Sequence, residues 1–281
     1  MRIDIARGGR RLRGRLIAAP VLAVLALAFG AAPASAALSS HGQTLHLSPF
    51  QTNKSTNWFG YNQGTLEQGG KLFNSISGYW TVPTATQHTA GQSEASSDWI
   101  GIGGGCVDAG CTVTDSTLIQ TGTEQDVSST GAASYSAWWE IIPAPSLTIN
   151  MTVHPGDRMF ASVAEIVPDS DLWKITLKDV TRNETFTQTV PYPSTHLSAE
   201  WIEETPLLLS TSPGLASLPN LTNPDFDLAS INGAAPHLKS TEEMQLTSSS
   251  GSVIGTPSAP DSDTDGFSAC TWTTSCGAPS S

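Results

Sequence analysis

Several familiar catalytic signatures are missing from this 281-residue chain. It contains no G-x-S-x-G elbow, no H-E-x-x-H pair and no P-loop, which removes the common serine hydrolase, zinc peptidase and phosphate-loop readings. Its 6 His are scattered, with no pair at i, i+4, so no metal site is expected. Gly103-Gly104-Gly105 is followed by no helical pattern, so a dinucleotide would find no helix N-terminus for its pyrophosphate. No stretch keeps a helical period. Positive charge is scarce: 13 Lys+Arg face 25 Asp+Glu.

Only one long apolar run exists, Leu16 to Phe29, and it is short for a membrane span. Arg2, Arg7, Arg10, Arg11, Arg13 and Arg15 precede it, and Ala34-Ser35-Ala36 follows. Together these predict a secretory signal peptide over residues 1–36 and a secreted, extracellular protein with no membrane contact once the signal is removed. Six of the 13 basic residues and one acid, Asp4, lie in that segment, leaving seven cations against 24 carboxylates. Such a surface repels nucleic acid and anionic lipid. Carboxylates lose their charge near pH 4, and little positive repulsion replaces it, so the composition tolerates acid better than neutrality.

Residues 37–55 are polar and lack a period; they read as a pro-segment or flexible leader. Residues 56–281 read as one β domain, with no internal repeat. Short β-type runs are broken by Gly, Pro, Asn and Ser. Strands are expected over Phe73 to Val82 and Ser97 to Gly103. Leu118 to Gly122 and Ser134 to Pro143 should form a hairpin, with Glu124 to Ala133 as its loop. Leu147, Ile149, Met151 and Val153 alternate; Phe160, Ser162, Ala164 and Ile166 continue beyond the His154–Asp157 turn; Trp173, Ile175 and Leu177 share a face. Half-buried strands of this kind imply stacked antiparallel sheets. Leu207-Leu208-Leu209 reads as a loop or short turn. Ser248 to Asp265 reads as a linker, and Gly266 to Trp272 as a last strand folding back. All four cysteines are exported: Cys106, Cys111, Cys270 and Cys276. Export favours disulfides, and the pairs Cys106–Cys111 and Cys270–Cys276 would each close a small loop. A four-cysteine zinc site is the alternative, at spacings looser than the usual zinc knuckles.

Carboxylates and amides remain as the chemical groups. In the hairpin, Leu118, Gln120 and Gly122 face one way and Ile119 and Thr121 the other. An amide among apolar neighbours needs a partner, because an unpaired buried one costs about 1–3 kcal/mol. That partner is either a neighbouring backbone group or a substrate. In Ser198 to Glu204, Glu200 shares a face with Ser198 and Ile202 while Trp201 faces the core. Burial there would raise the Glu200 pKa; a solvated strand-face Glu is the plainer reading, and it is the one adopted for Glu203 and Glu204. His154 and His196 read as surface histidines.

Asn57-Trp58-Phe59-Gly60-Tyr61, Trp99-Ile100-Gly101-Ile102, Ile119-Gln120-Thr121-Gly122, Ser134-Tyr135-Ser136-Ala137-Trp138-Trp139-Glu140 and Ala199-Glu200-Trp201-Ile202 occur in that order. This set resembles the glutamic peptidases, or eqolisins, across Asn57 to Trp272. The resemblance implies a two-sheet antiparallel β-sandwich of the concanavalin A-like, lectin–glucanase type, and an acid-active endopeptidase acting on proteins or peptides without metal or cofactor. It implies a catalytic pair of Gln120 and Glu200 beside a substrate groove in one sheet; Glu124 is a candidate substrate-binding residue, and Trp99 and Trp139 either wall that groove or are core aromatics. A monomer is expected. The chain departs from the family pattern at Gly103, where Asp is usual, and at Glu124, where Asp is usual. It departs again at Trp139 and at Ile141-Ile142-Pro143, where Trp-Tyr-Pro often stands. Two other functions fit the same composition: a lectin-like module using Trp99, Trp138 and Trp139 as sugar platforms, and a glycosidase using Glu140 and Glu200.

Overall fold

Alternating strands can bury one face only by stacking on a second layer, and the chain does so. The computed structural model describes residues 43–45, 50–51, 53–209 and 213–281; the expected signal peptide at 1–36 lies outside the described residues. The strands that position the site are, in chain order, β1 (Trp58–Gly64), β2 (Ser75–Thr81), β3 (Glu94–Gly103), β4 (Leu118–Val127), β5 (Ala133–Ile141), β6 (Leu147–Ile149), β7 (Arg158–Glu165), β8 (Leu172–Asp179), β9 (Glu184–Pro191), β10 (Ser198–Glu204), β11 (Asp225–Ile231), β12 (Glu243–Thr247), β13 (Val253–Pro257) and β14 (Phe267–Thr271). They are hydrogen-bonded in the order β6-β5-β4-β3-β10-β1-β12-β13-β14-β11-β2-β7-β8-β9. The first seven make a front sheet and the last five a back sheet, with β13 and β14 carrying the ladder between them.

The main core lies between the layers. Ile100, Ile102, Ile119, Ala199 and Trp201 come from the front; Ile76, Trp80, Met159, Ala161, Val163, Trp173, Ile175 and Leu177 come from the back. Burial of each large side chain stabilises the fold by about 1.5–3 kcal/mol. Two indoles also fix the layers by hydrogen bonds: Trp201 Nε1 donates to Ser77 O at 2.9 Å, and Trp80 Nε1 donates to Thr123 Oγ1 at 2.9 Å. A smaller cluster, Trp58, Trp99, Leu118, Trp138, Ile142 and Ile202, covers the other face of the front sheet.

The all-β two-layer architecture agrees with the sequence reading, as do the disulfides Cys106–Cys111 and Cys270–Cys276. Several local readings need correction. β4 and β5 run on through the expected loop to pair Val127 with Ala133, and the polar side chains of Thr123 and Gln125 find partners inside the sandwich. The buried face of β7 is Met159, Ala161 and Val163, one residue off the expected parity; Phe160 instead packs on Tyr79 on the outer side, with ring centroids 4.9 Å apart. The alternation from Leu147 keeps a ladder only to Ile149. Leu207–Leu209 is a strand, since Gln43–Leu45 in the leader supplies it with an antiparallel partner. The expected linker contains β13, held between β12 and β14.

Candidate active site

The register of the front sheet lines up one residue from each of five strands. Asn62 on β1 pairs with Glu200 on β10, Glu200 with Gly101 on β3, Gly101 with Gln120 on β4, and Gln120 with Glu140 on β5. Directly opposed residues point to the same face, so the row reads Asn62, Glu200, Gly101, Gln120, Glu140. Neighbouring strands lie about 4.8 Å apart, which sets the Gln120 and Glu200 backbones roughly 10 Å apart with a glycine between them. A β-carbon at Gly101 would sit 3.0 Å from Gln120 Cβ and 3.0 Å from Leu118 Cδ1. The missing side chain leaves a gap between the two polar groups. The next row along the strands is Ile202, Trp99, Gly122 and Trp138, an apolar bank beside the polar one.

Gln120 and Glu200 are both 0% exposed. Gln120 Nε2 donates to Glu140 Oε2 at 2.6 Å. That carboxylate fixes which end of the amide faces it and leaves the second Nε2 proton free to donate elsewhere. Gln120 Oε1 and both Glu200 carboxyl oxygens have no hydrogen-bond partner among the described residues. Buried polar atoms are rarely left so. Burial pushes the Glu200 pKa well above the usual carboxylate range; Ser198 and the Gly105 N–H oppose this, and the negative charge of Asp115 adds to it.

The turn after β3 explains one departure from the family pattern. Gly103 and Gly104 have φ of +94° and +87°, and a β-carbon at Gly103 would fall 2.0 Å from Thr117 O. An aspartate cannot replace Gly103 in this turn.

The remaining expected site residues divide by face. Trp99 lies on the face of Gln120 and Glu200 but is fully buried; it packs edge-on against Trp58 at 4.7 Å, and its Nε1 donates to Glu204 Oε2 at 2.7 Å. Glu124 lies on the same face as Gln120, opposite Ser97 and Ser136. Trp139 does not line this face. It pairs with Thr121 and packs against the inter-sheet core, so strand alternation makes Trp138 its counterpart on the groove side. Trp138 Nε1 donates to Ser97 Oγ at 2.9 Å. Glu203 and Glu204 are buried rather than solvated: Glu203 faces Asp98 across the strand pair, and Glu204 also accepts from Asn57 Nδ2 at 3.1 Å. His196 is buried, with Nε2 3.4 Å from Glu165, whereas His154 is half exposed. The sequence reading missed the contact of Glu140 with Gln120; the hairpin register would have revealed it once the turn was known to be short.

The model of the peptidase A4 family matches residues 56–264. No curated protein is similar in sequence. Among solved structures, the chain is similar to a scytalido-glutamic peptidase with a peptide-based transition-state analogue, at 18% identity, TM-score 0.58, covering 77% of this chain and 98% of that one. It is similar to SCP-B, an eqolisin in a complex with the tripeptide Ala-Ile-His, at 18% identity and TM-score 0.58, with 77% and 98% covered. It is also similar to the aspergilloglutamic peptidase of Aspergillus niger, at 21% identity and TM-score 0.52, with 63% and 99% covered.

Proposed function

Because the chain belongs to the peptidase A4 family, the eqolisins, and is by that membership a glutamic peptidase, we propose that it is a secreted endopeptidase working in acid through Glu200 and Gln120. One observation carries this reading: Glu200 and Gln120 flank a glycine gap on one sheet face, and three of their buried oxygens are left without partners. A water in that gap would meet acceptors from both sides.

The ionised Glu200 carboxyl takes a proton from this water as its oxygen bonds to the scissile carbonyl carbon. The carbonyl π electrons move to oxygen, and the Gln120 Nε2–H that Glu140 does not occupy donates to the oxyanion. One such donor is worth about 10²–10³ in kcat. Glu200 then returns the proton to the amide nitrogen as the C–N bond breaks, giving a carboxylic acid and an amine. Amide chemistry suits the second role because Gln120 keeps its donor at every pH.

The other two readings are less well supported. Trp99 and Trp138 are buried and Trp139 faces the inter-sheet core, which leaves a sugar no platform among these three. Glu140 and Glu200 stand three strand spacings apart, about 14 Å between backbones, with Gln120 between them; glycosidic carboxyls work at about 5–10 Å.

Cleavage of acid-denatured casein followed from about pH 3 up to neutrality tests the proposal, with the acid limb expected above the usual carboxylate range because burial raises Glu200. Glu200→Gln is expected to lose cleavage altogether, and Gln120→Ala about 10²–10³-fold in kcat. Parental activity in both variants would sink it.

A further inference from the structure

Glu200 is walled on one side by a loop closed by a disulfide. Gly103 to Asp115 turns back on itself, with Cys106 bridged to Thr114, Val107 N donating to Val113 O at 2.9 Å and Asp115 N to Gly105 O at 2.8 Å. The Cys106–Cys111 disulfide closes its tip. Asp115 anchors its base: Oδ1 accepts from Thr117 N at 2.9 Å and Oδ2 from Leu197 N at 3.2 Å, one residue before β10 begins.

Asn62 grips this loop at its middle. Its Oδ1 accepts from Cys106 N at 2.8 Å, and its Nδ2 donates to Cys106 O at 2.9 Å. Both ends of the amide are spent on the N–H and C=O of one residue, a pairing only a matched donor and acceptor can make. The residue before Cys106 is thereby pressed onto Glu200. Gly105 N donates to Ser198 Oγ at 3.0 Å, and a β-carbon at Gly105 would fall 2.3 Å from Glu200 Oε1 and 1.7 Å from Asn62 Oδ1. Bare backbone therefore touches the carboxyl where any side chain would displace it.

We propose that Asn62 is a positioning residue for Glu200: by clamping the Cys106 backbone it holds Gly105 against one side of the carboxyl and turns the carboxyl toward the Gly101 gap. The inference rests on Glu200 being the base of the proposed reaction. A buried Asn holding a loop can also be purely structural, so the test reads the carboxyl itself. The charged groups that face Glu200 are Asp115 from the loop, Glu140 beyond Gln120, and Glu204 along β10; Asp115 raises its pKa, and burial raises it more. Loosening the wall admits water and lowers it.

The measurement is a ¹³C NMR titration of carboxyl groups in the secreted protein, with the Glu200 signal assigned by its loss in Glu200→Gln. Asn62→Ala is expected to lower the Glu200 midpoint by about one pH unit. The acid limb of kcat should move with it and kcat should fall about tenfold, with KM near the parental value. In Asn62→Asp the introduced carboxyl, while protonated, offers the same acceptor and donor, so kcat should return toward the parent on the acid side of the profile and fall again as that carboxyl ionises. An unchanged midpoint in Asn62→Ala, or equal loss of kcat in both variants at every pH, overturns the clamp. If Asn62→Ala does not fold, Asn62→Asp decides alone: a pH profile matching the parent overturns the proposal. A parent that cleaves no protein while its Glu200 midpoint still moves in Asn62→Ala overturns the proteolytic reading and supports the clamp.

Discussion

Gly101 keeps Gln120 and Glu200 apart by the width of one absent side chain. The contacts waiting for a β-carbon there, Gln120 Cβ, Leu118 Cδ1 and Trp99 Cζ3, lie at 3.0–3.1 Å, close enough to push the amide aside while the sheet absorbs the rest. Gly101→Ala should therefore reduce kcat by about 10²-fold, the usual cost of a misplacement near an ångström, with little change in thermal midpoint. Kinetics and thermal unfolding on the same preparation check this, and parental kcat would mean that the water sits elsewhere. At this scale the sequence was informative about identity and poor about direction. Ordered motifs and strand parity singled out Gln120 and Glu200, the proposed pair. The doublet Trp138-Trp139 was not legible, since only the pairing of Gln120 with Glu140 decides which indole shares their face. Glu203 and Glu204 were misread because a run of acids looks solvated, whereas this sheet is covered on both sides.

A strand in the leader shows what pairing adds at the next scale. Gln43–Leu45 binds Leu207–Leu209, and Leu207 lies three residues past the end of the strand that carries Glu200. The leader is thus tied to the continuation of the proposed catalytic strand, on a protein whose paired groups are closed to solvent. Incubation in acid is expected to shorten the chain to an N-terminus near residue 56 and to raise activity, while Glu200→Gln alone stays long. N-terminal sequencing across a time course reads the outcome; full activity with residue 37 still terminal would refute a pro-segment. The leader strand was invisible in the sequence because its partner is another three-residue run, and neither is stable unpaired. The β7 parity failed for a different reason: Met159 to Ala164 is apolar or small at nearly every position, so only the packing of Phe160 on Tyr79 decides which face turns inward.

Tolerance of acid, which the composition leads one to expect, would belong to the whole molecule. Asp98 and Glu203 oppose one another between the sheets, both 0% exposed, with Gln125 Nε2 donating to Asp98 Oδ2 at 3.2 Å. Among the described residues no ion pair reaches either acid. Burial pushes Asp98 up to about 6, and burial together with Asp98 pushes Glu203 well above the usual range. A carboxyl whose pKa is raised by folding contributes its stability fully below the unfolded pKa and loses it as pH rises through the folded one. For Asp98 that window runs from about pH 4 to about 6. The thermal midpoint should fall over this range, and Asp98→Asn should flatten the fall; a midpoint that climbs toward pH 7 would contradict the assignment. Composition already pointed this way through its excess of acids, but the two responsible residues emerge only from the β3–β10 register.

Glu200 and Trp201 are adjacent in the chain and look in opposite directions. The Trp201 indole reaches through the sandwich to Ser77 O and fits because Gly78 has no side chain; a β-carbon there would stand 3.0 Å from the ring. The proposed base is therefore moored from behind, to the opposite layer of the sandwich. Escape from a tight inhibitor directed at the Gln120–Glu200 face should accordingly arise at Gly78 as well as on that face, and a small wedge lodged beside the Trp201 indole would silence the enzyme without competing for its substrate.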